Sequence, residues 1–261
     1  MDRRGFLALA GVCCTLAGRD VFAAPAPGAS LPVAINKAGR QRMLSQRLAK
    51  AWLQEAAGVQ SDKGKQLLGQ SMSLFEQQLQ DLRGVVPNDD VKSRLVHLEQ
   101  EWGRFRPLLG AVQSDPKAVW TANESVLTSA DQLTKAYEQA SGAHAAQVIN
   151  LAGRQRMLSQ RMAKAYLFRV MNVNVPQATE MLTQSVLEFS KAHDQLKASP
   201  LNTAQIKSEL GLVEQQWFFF QTALGARTSE QQKAAADVAS TSERILGQMD
   251  AVVSMYEKVA A

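Results

Sequence analysis

The sequence predicts an all-α protein built as two tandem antiparallel four-helix bundles, packed side by side through their first helices. Three observations carry this expectation: a long internal repeat, an abundance of helix formers with regular breaks, and a shortage of turn-rich strand signals. The chain has 261 residues, with 46% hydrophobic residues, 16 Gly, 8 Pro and only 3 Tyr. That composition excludes a disordered chain, which would be apolar-poor and far more charged.

The repeat is the dominant feature. Residues 35–53 reappear at 149–167 with 16 identities in 19 positions at an offset of 114, the differences being Lys37/Leu151, Leu48/Met162 and Trp52/Tyr166. The register continues through Phe75/Phe189 and Leu82/Leu196, then with small shifts through Trp102/Trp217 and Tyr137/Tyr256. Two copies of one unit follow, each about 115 residues long, because self-similarity at a fixed period marks repeated architecture. The expected division is a leader at 1–23, a first domain at 24–142 and a second at 143–261.

The leader comes first in chain order. Arg3 and Arg4 precede Gly5-Phe6-Leu7 and an apolar stretch to Ala17, and Val21-Phe22-Ala23 offers small residues for cleavage. A charged start, short apolar middle and small-residue end form a signal peptide, here of the twin-arginine type. Export and cleavage after Ala23 would leave a soluble periplasmic protein; uncleaved, the segment would anchor it. Cys13 and Cys14 both lie inside the leader, so the mature chain would hold no disulfide and no thiolate chemistry.

Within each unit, breaks separate four helices. They fall at 58–62, 84–90 and 114–116 in the first copy and at 172–176, 199–203 and 225–230 in the second, where Gly, Pro, Asn, Asp and Ser cluster. Four helices joined by short loops make an up-down-up-down bundle. Pro107 is expected to kink or end the third helix near Arg106; its counterpart is near Gln221, so the bundles should differ there. Between the copies, Ser141-Gly142 either turns the chain, pairing the first helices within one molecule, or lets the fourth and fifth helices fuse. Fusion would leave that pairing to a homodimer.

The repeated box holds the candidate site. Wound at about 100° per residue, it places Ile35, Ala38, Gly39, Arg42, Gln46, Ala49 and Leu53 on one face and Leu44, Leu48, Ala51 and Trp52 on another. The bulky face suits the core of its own bundle. The small-residue face, repeated as Ile149, Ala152, Gly153, Arg156, Gln160, Ala163 and Leu167, suits close approach of a second backbone, since an interior Gly costs a helix about 1 kcal/mol. Packed together, the two faces would bring Arg42 and Arg156 across a seam, where they would repel unless an anion lay between them. A small planar oxyanion fits, because each guanidinium offers a rigid fork of donors matched to two oxygens. In the competing reading, Arg40, Arg42, Arg47, Arg154, Arg156 and Arg161 form solvated basic faces.

The box Ile-Asn-Lys-Ala-Gly-x-x-Arg-Met-x-Ser-x-Arg at 35–47 resembles the P-box of the NarX/NarQ nitrate and nitrite sensor kinases, and is similar to the N-terminal domain of PilJ type IV pilus chemotaxis transducers. That resemblance implies a periplasmic four-helix sensor domain that pairs through its first helices and holds one nitrate between them. By position, Arg42 and Arg156 match the anion-gripping arginine, with Gly39 and Gly153 beside it; Gln46 and Gln160 lie on the same face. Arg47 and Arg161 match a later arginine of the motif and Lys37 its lysine, which Leu151 replaces in the second copy. This sequence has no kinase after the repeats, so the ligand state would pass to a membrane sensor, transporter or chemotaxis partner.

Other chemistry is sparse. His97, His144 and His193 have no second ligand at metal spacing and are expected at the surface or half-buried. The acids look like exposed helix charges, and Trp217-Phe218-Phe219-Phe220 cannot all face one core. Neither enzymatic activity nor a cofactor is expected. Nucleic acid is not an expected partner, because the net charge of +5 is dispersed and forms no basic run. The alternative to an anion receptor is an interaction module of the envelope or pilus machinery that binds no anion.

Overall fold

The computed structural model describes residues 30–110, 113–142, 144–225 and 231–260. They form eight helices: α1 (Leu31–Ala56), α2 (Ser61–Arg83), α3 (Asp89–Leu109), α4 (Pro116–Ser141), α5 (His144–Val170), α6 (Val175–Lys197), α7 (Ala204–Gly225) and α8 (Gln231–Ala260). No strand occurs among the described residues. The leader expected at 1–23 lies outside them, as does most of the break at 225–230.

Local chemistry sets the helix ends. Asn88 caps α3 by accepting from the Val91 N–H at 2.9 Å, and Asp115 caps α4 by accepting from the Lys117 N–H at 3.0 Å, with Pro116 opening the helix. The α1–α2 turn needs left-handed backbone at Gly58 (φ +69°) and Gln60 (φ +51°); the α5–α6 turn repeats it at Asn172 (φ +57°) and Asn174 (φ +47°). Gly adopts this conformation without strain and Asn tolerates it better than most residues. Pro107 does not end α3 at Arg106: the helix runs on to Leu109, and Gly110 caps it with an N–H to the Pro107 carbonyl. Lying in the last turn, the ring forfeits a single ladder bond.

α1 packs on α2 and α4, with α3 against α4; α5 packs on α6 and α8, with α7 against α8. Each bundle is tied at α2–α3 or α6–α7 by an aromatic stack, Phe75 on Trp102 at 4.2 Å and Phe189 on Trp217 at 4.3 Å. The Tyr137 hydroxyl donates to the Val85 carbonyl at 2.7 Å, and the Tyr256 hydroxyl donates to Asn202 Oδ1 at 2.5 Å, so each fourth helix holds the loop after the second.

The bundles meet along α1 and α5, which run parallel about a pseudo-two-fold axis. Gly142, left-handed at φ +60°, ends α4 and lets α5 fold back, so the chain turns rather than continuing as a rod. Consequently α1 is more deeply buried than a two-faced helix would be: besides Leu44, Leu48, Trp52 and Leu53, it buries Gln41, Ser45, Lys50 and Gln54. Neighbours surround it on nearly every side, and its polar residues find partners in both bundles.

Candidate functional site: the arginine seam

The close approach begins at two glycines. A Cβ on Gly39 would sit 3.3 Å from Arg42 Nη2 and 3.9 Å from Arg156 Nη2; one on Gly153 would sit 3.3 Å from Arg156 Nη2 and 3.6 Å from Arg42 Nη2. The space a side chain would take is therefore where the two guanidiniums converge, which accounts for glycine in two helix interiors. Both arginines are fully buried, at 1% and 0% exposure, so the solvated-face reading fails for this pair.

Each guanidinium is held from both bundles. Arg42 donates through Nη1 to Asp131 of α4 at 2.8 Å and through Nη2 to Asn150 Oδ1 of α5 at 2.6 Å. Its counterpart Arg156 donates to Asp250 of α8 at 2.6 Å and to Asn36 Oδ1 of α1 at 2.7 Å. The expectation that two arginines here need an external anion is corrected in part: each already has a carboxylate from its own fourth helix. The Nη2 forks, however, rest on neutral amide oxygens, and Nε of both arginines is buried without an acceptor. Burial draws both guanidinium pKa values down from their ordinary range, against the pull of Asp131 and Asp250; for Arg156, Arg40 and Arg42 add to the lowering.

The acids expected to be exposed are instead structural partners. Asp131 and Asp250 are driven up by burial and pulled down more strongly by their arginines, ending below the usual carboxylate range. Further along the seam, Glu243 of α8 accepts from Arg47 at 2.5 Å and Lys50 at 2.5 Å across the bundle boundary. Glu124 of α4 does the same for Arg161 at 2.8 Å and Lys164 at 2.5 Å. Lys50 and Lys164 have wholly buried ammonium groups, and desolvation lowers each pKa to about 8 despite the carboxylate. Glu243, which keeps some water contact, goes the other way: burial would raise it, but Lys50 and Arg47 hold it at about 2. Lys164 also lies 5.4 Å from the Trp120 ring centroid.

The sequence-derived site residues thus divide. Arg42, Arg156, Gly39 and Gly153 come together at the seam. Gln46 and Gln160 are buried nearby, donating to Asn123 Oδ1 at 3.1 Å and the Ser242 carbonyl at 3.0 Å, each with Oε1 unpartnered. Arg47 and Arg161 belong to the glutamate clamps and are not part of the arginine pair. Lys37 turns to α2, where Asp81 accepts its proton at 2.9 Å, half exposed and directed away from the α5 contact. Sequence reasoning missed Asn36, Asn150, Asp131, Asp250, Lys50 and Lys164. Asn36, Asn150, Lys50 and Lys164 stand in the repeated box itself, where identity in both copies was the available signal.

An open groove of about 550 Å³ flanks the seam between α4, α5 and α6, and Asp131, Arg154, Arg161 and Glu188 line it, so the carboxylate partner of Arg42 borders solvent. His193 departs from expectation: it is 3% exposed, stacked on Phe189, and neither ring nitrogen has a partner; burial lowers its pKa, keeping it neutral. Among the described residues no group of His, Cys, Asp and Glu could hold a metal ion, and no helix is long and apolar enough to cross a membrane.

Two helical bundles, paired in parallel through a buried polar seam, define a tandem helical module. Residues 31–128 and 138–244 each match the family described as the N-terminal domain of type IV pili methyl-accepting chemotaxis transducers, PilJ, and the chain belongs to that family. The PilJ domain is a helical sensory module of chemotaxis transducers, and the chain carries two copies of it. The match supports the PilJ half of the sequence resemblance and not the nitrate-sensor half; its spans end just short of Asp131 and Asp250. No curated protein and no solved structure is significantly similar to the chain.

Proposed function

We propose that this protein is an exported periplasmic receptor that binds a small planar oxyanion, nitrate or nitrite, between Arg42 and Arg156 and reports its ligand state to a membrane-bound signalling partner. It acts without cofactor or catalysis, and its units divide at the 142/143 turn. One observation carries the reading: two fully buried guanidiniums converge where Gly39 and Gly153 carry no side chain, with their Nη2 forks on neutral Asn oxygens and both Nε donors orphaned. A planar anion exchanging with the Asn36 and Asn150 amides would replace neutral acceptors by charged ones, and charge-assisted bonds are about twice as strong. Burying ligand between α1 and α5 would alter how the bundles pack, which is the signal a partner could read.

The test is thermal unfolding of residues 24–261 with nitrate, nitrite, sulfate, chloride and acetate at constant ionic strength. A ligand confined to the folded state raises stability by RT ln(1 + [L]/Kd), about 2.7 kcal/mol at a hundredfold excess. A shift selective for nitrate or nitrite, lost in Arg42→Ala/Arg156→Ala, is the expected result; no selective shift refutes the proposal. The second reading, an interaction module without anion, draws on Asp131 and Asp250, which already neutralise the arginines, and on Phe218 and Phe219, 66% and 58% exposed on α7. Under it, a signalling partner would be retained whatever the anion.

A further inference from the structure

The pseudo-two-fold axis equates the outer arginines Arg40 and Arg154, but their surroundings differ by one acceptor. Arg154 is shared by two carboxylates, donating through Nη1 to Asp131 at 3.4 Å and through Nε to Glu188 of α6. Arg40 has one carboxylate, Asp250, at 3.2 Å, and its Nε is buried without a partner. The position equivalent to Glu188 is Leu74 of α2. The register is the same on both edges: Gln41 Nε2 donates to the Phe75 carbonyl at 3.3 Å, and Gln155 Nε2 donates to the Phe189 carbonyl at 3.0 Å, each beside the position in question. Lys135, bound to Asp131 at 2.7 Å, has Ser254 as its counterpart, so the two edges differ in an acceptor rather than in the balance of these charges.

We propose that the edge formed by α1, α2 and α8 binds a small free carboxylate at Arg40, in the place that Glu188 fills on the opposite edge. The site lies beside the Arg42/Arg156 pair, sharing Asp250 with Arg156, and does not require an anion between those two arginines. Its chemistry follows from the occupied edge: a carboxylate oxygen accepts from Nε, the guanidinium supplies charge assistance, and half-buried Leu74 offers an apolar wall to a short alkyl group. Arg40 keeps 24% of its side chain exposed while Nε itself is covered, so the ligand approaches over the exposed guanidinium edge and meets Nε as the half-buried Leu74 side chain shifts.

The experiment follows arginine Nε–H resonances of the isotope-labelled protein, with Arg40 assigned by its loss in Arg40→Lys, as acetate replaces chloride at constant ionic strength. The Arg40 signal is expected to move and saturate in the millimolar range while Arg154 stays still, and Leu74→Glu should abolish the movement. Should Leu74→Glu fail to fold, Glu188→Leu serves instead and should confer an acetate response on Arg154. No saturable movement at Arg40 beyond the chloride control, equal movement at Arg154, or an unchanged response in the folded Leu74→Glu variant overturns the proposal. Signals of Arg42 and Arg156 followed with nitrate report the inner pair separately, so either site can fail while the other stands.

Discussion

Replacing Glu243 by Gln removes the carboxylate that clamps α8 to Arg47 and Lys50 of the other bundle. Burial favours the neutral acid there, yet Lys50 and Arg47 hold the group at about 2 against an ordinary 4.5. Since a depressed carboxylate pKa is stability gained above the unfolded value and lost as pH falls through the folded one, the clamp contributes roughly 3 kcal/mol at neutral pH. A stranded buried charge would cost about 3 to 5 kcal/mol, but Lys50, with its pKa already lowered to about 8, can release its proton and so limits the loss. Denaturant unfolding of the wild type and Glu243→Gln should therefore differ by roughly 3 kcal/mol at about pH 7 and by under half of that near pH 3, where the unfolded chain is already protonated. A difference below about 1 kcal/mol at neutral pH, or one that does not change on acidification, would refute the reasoning.

Gly39→Leu should force α1 from α5, because a Cβ alone lies 3.3 Å from Arg42 Nη2; the melting temperature should fall despite leucine's better helix propensity, and an unchanged value would contradict the seam geometry. Lys50 and Lys164, lowered to about 8 in the folded chain, give stability that rises as pH passes from about 8 towards the unfolded value, since the unfolded chain keeps protons the folded one has released. The wild type should gain stability over Lys50→Met/Lys164→Met between about pH 8 and 10, measured by denaturant unfolding. On α7, Trp217→Ala should cost about 3 to 5 kcal/mol, whereas Phe218→Ser with Phe219→Ser should cost little, because Trp217 and Phe220 are buried and the other two rings are exposed. Equal losses would mean that the aromatic run packs differently.

Much of the architecture was legible in the sequence. The identical offset of the two boxes announced the repeat, and the clusters at 58–62 and 172–176 marked turns that both copies make with left-handed backbone. The arginine pair was legible because a glycine inside each helix needs a reason. The carboxylates that meet those arginines were not: an Asp on α4 that faces a neighbouring helix looks, in sequence, like one that faces water. Their repeat runs at the spacing of Tyr137 to Tyr256 and not at that of Arg42 to Arg156, so the two aspartates do align, but in the drifted part of the repeat where few neighbouring identities single them out. Arg47 and Arg161 were misplaced for a related reason. The motif resemblance put them at the site, but only the position of α4 and α8 decides which acid they reach.

Covalent linkage through the left-handed turn at Gly142 gives the seam a property that two separate subunits lack. A dimer of single-bundle chains assembles only when the protein is abundant enough, and any cleft at its interface disappears on dilution. Here the partner surface is always at hand, at an effective concentration set by a short tether. Assembly of the seam is then independent of how many copies of the chain are present.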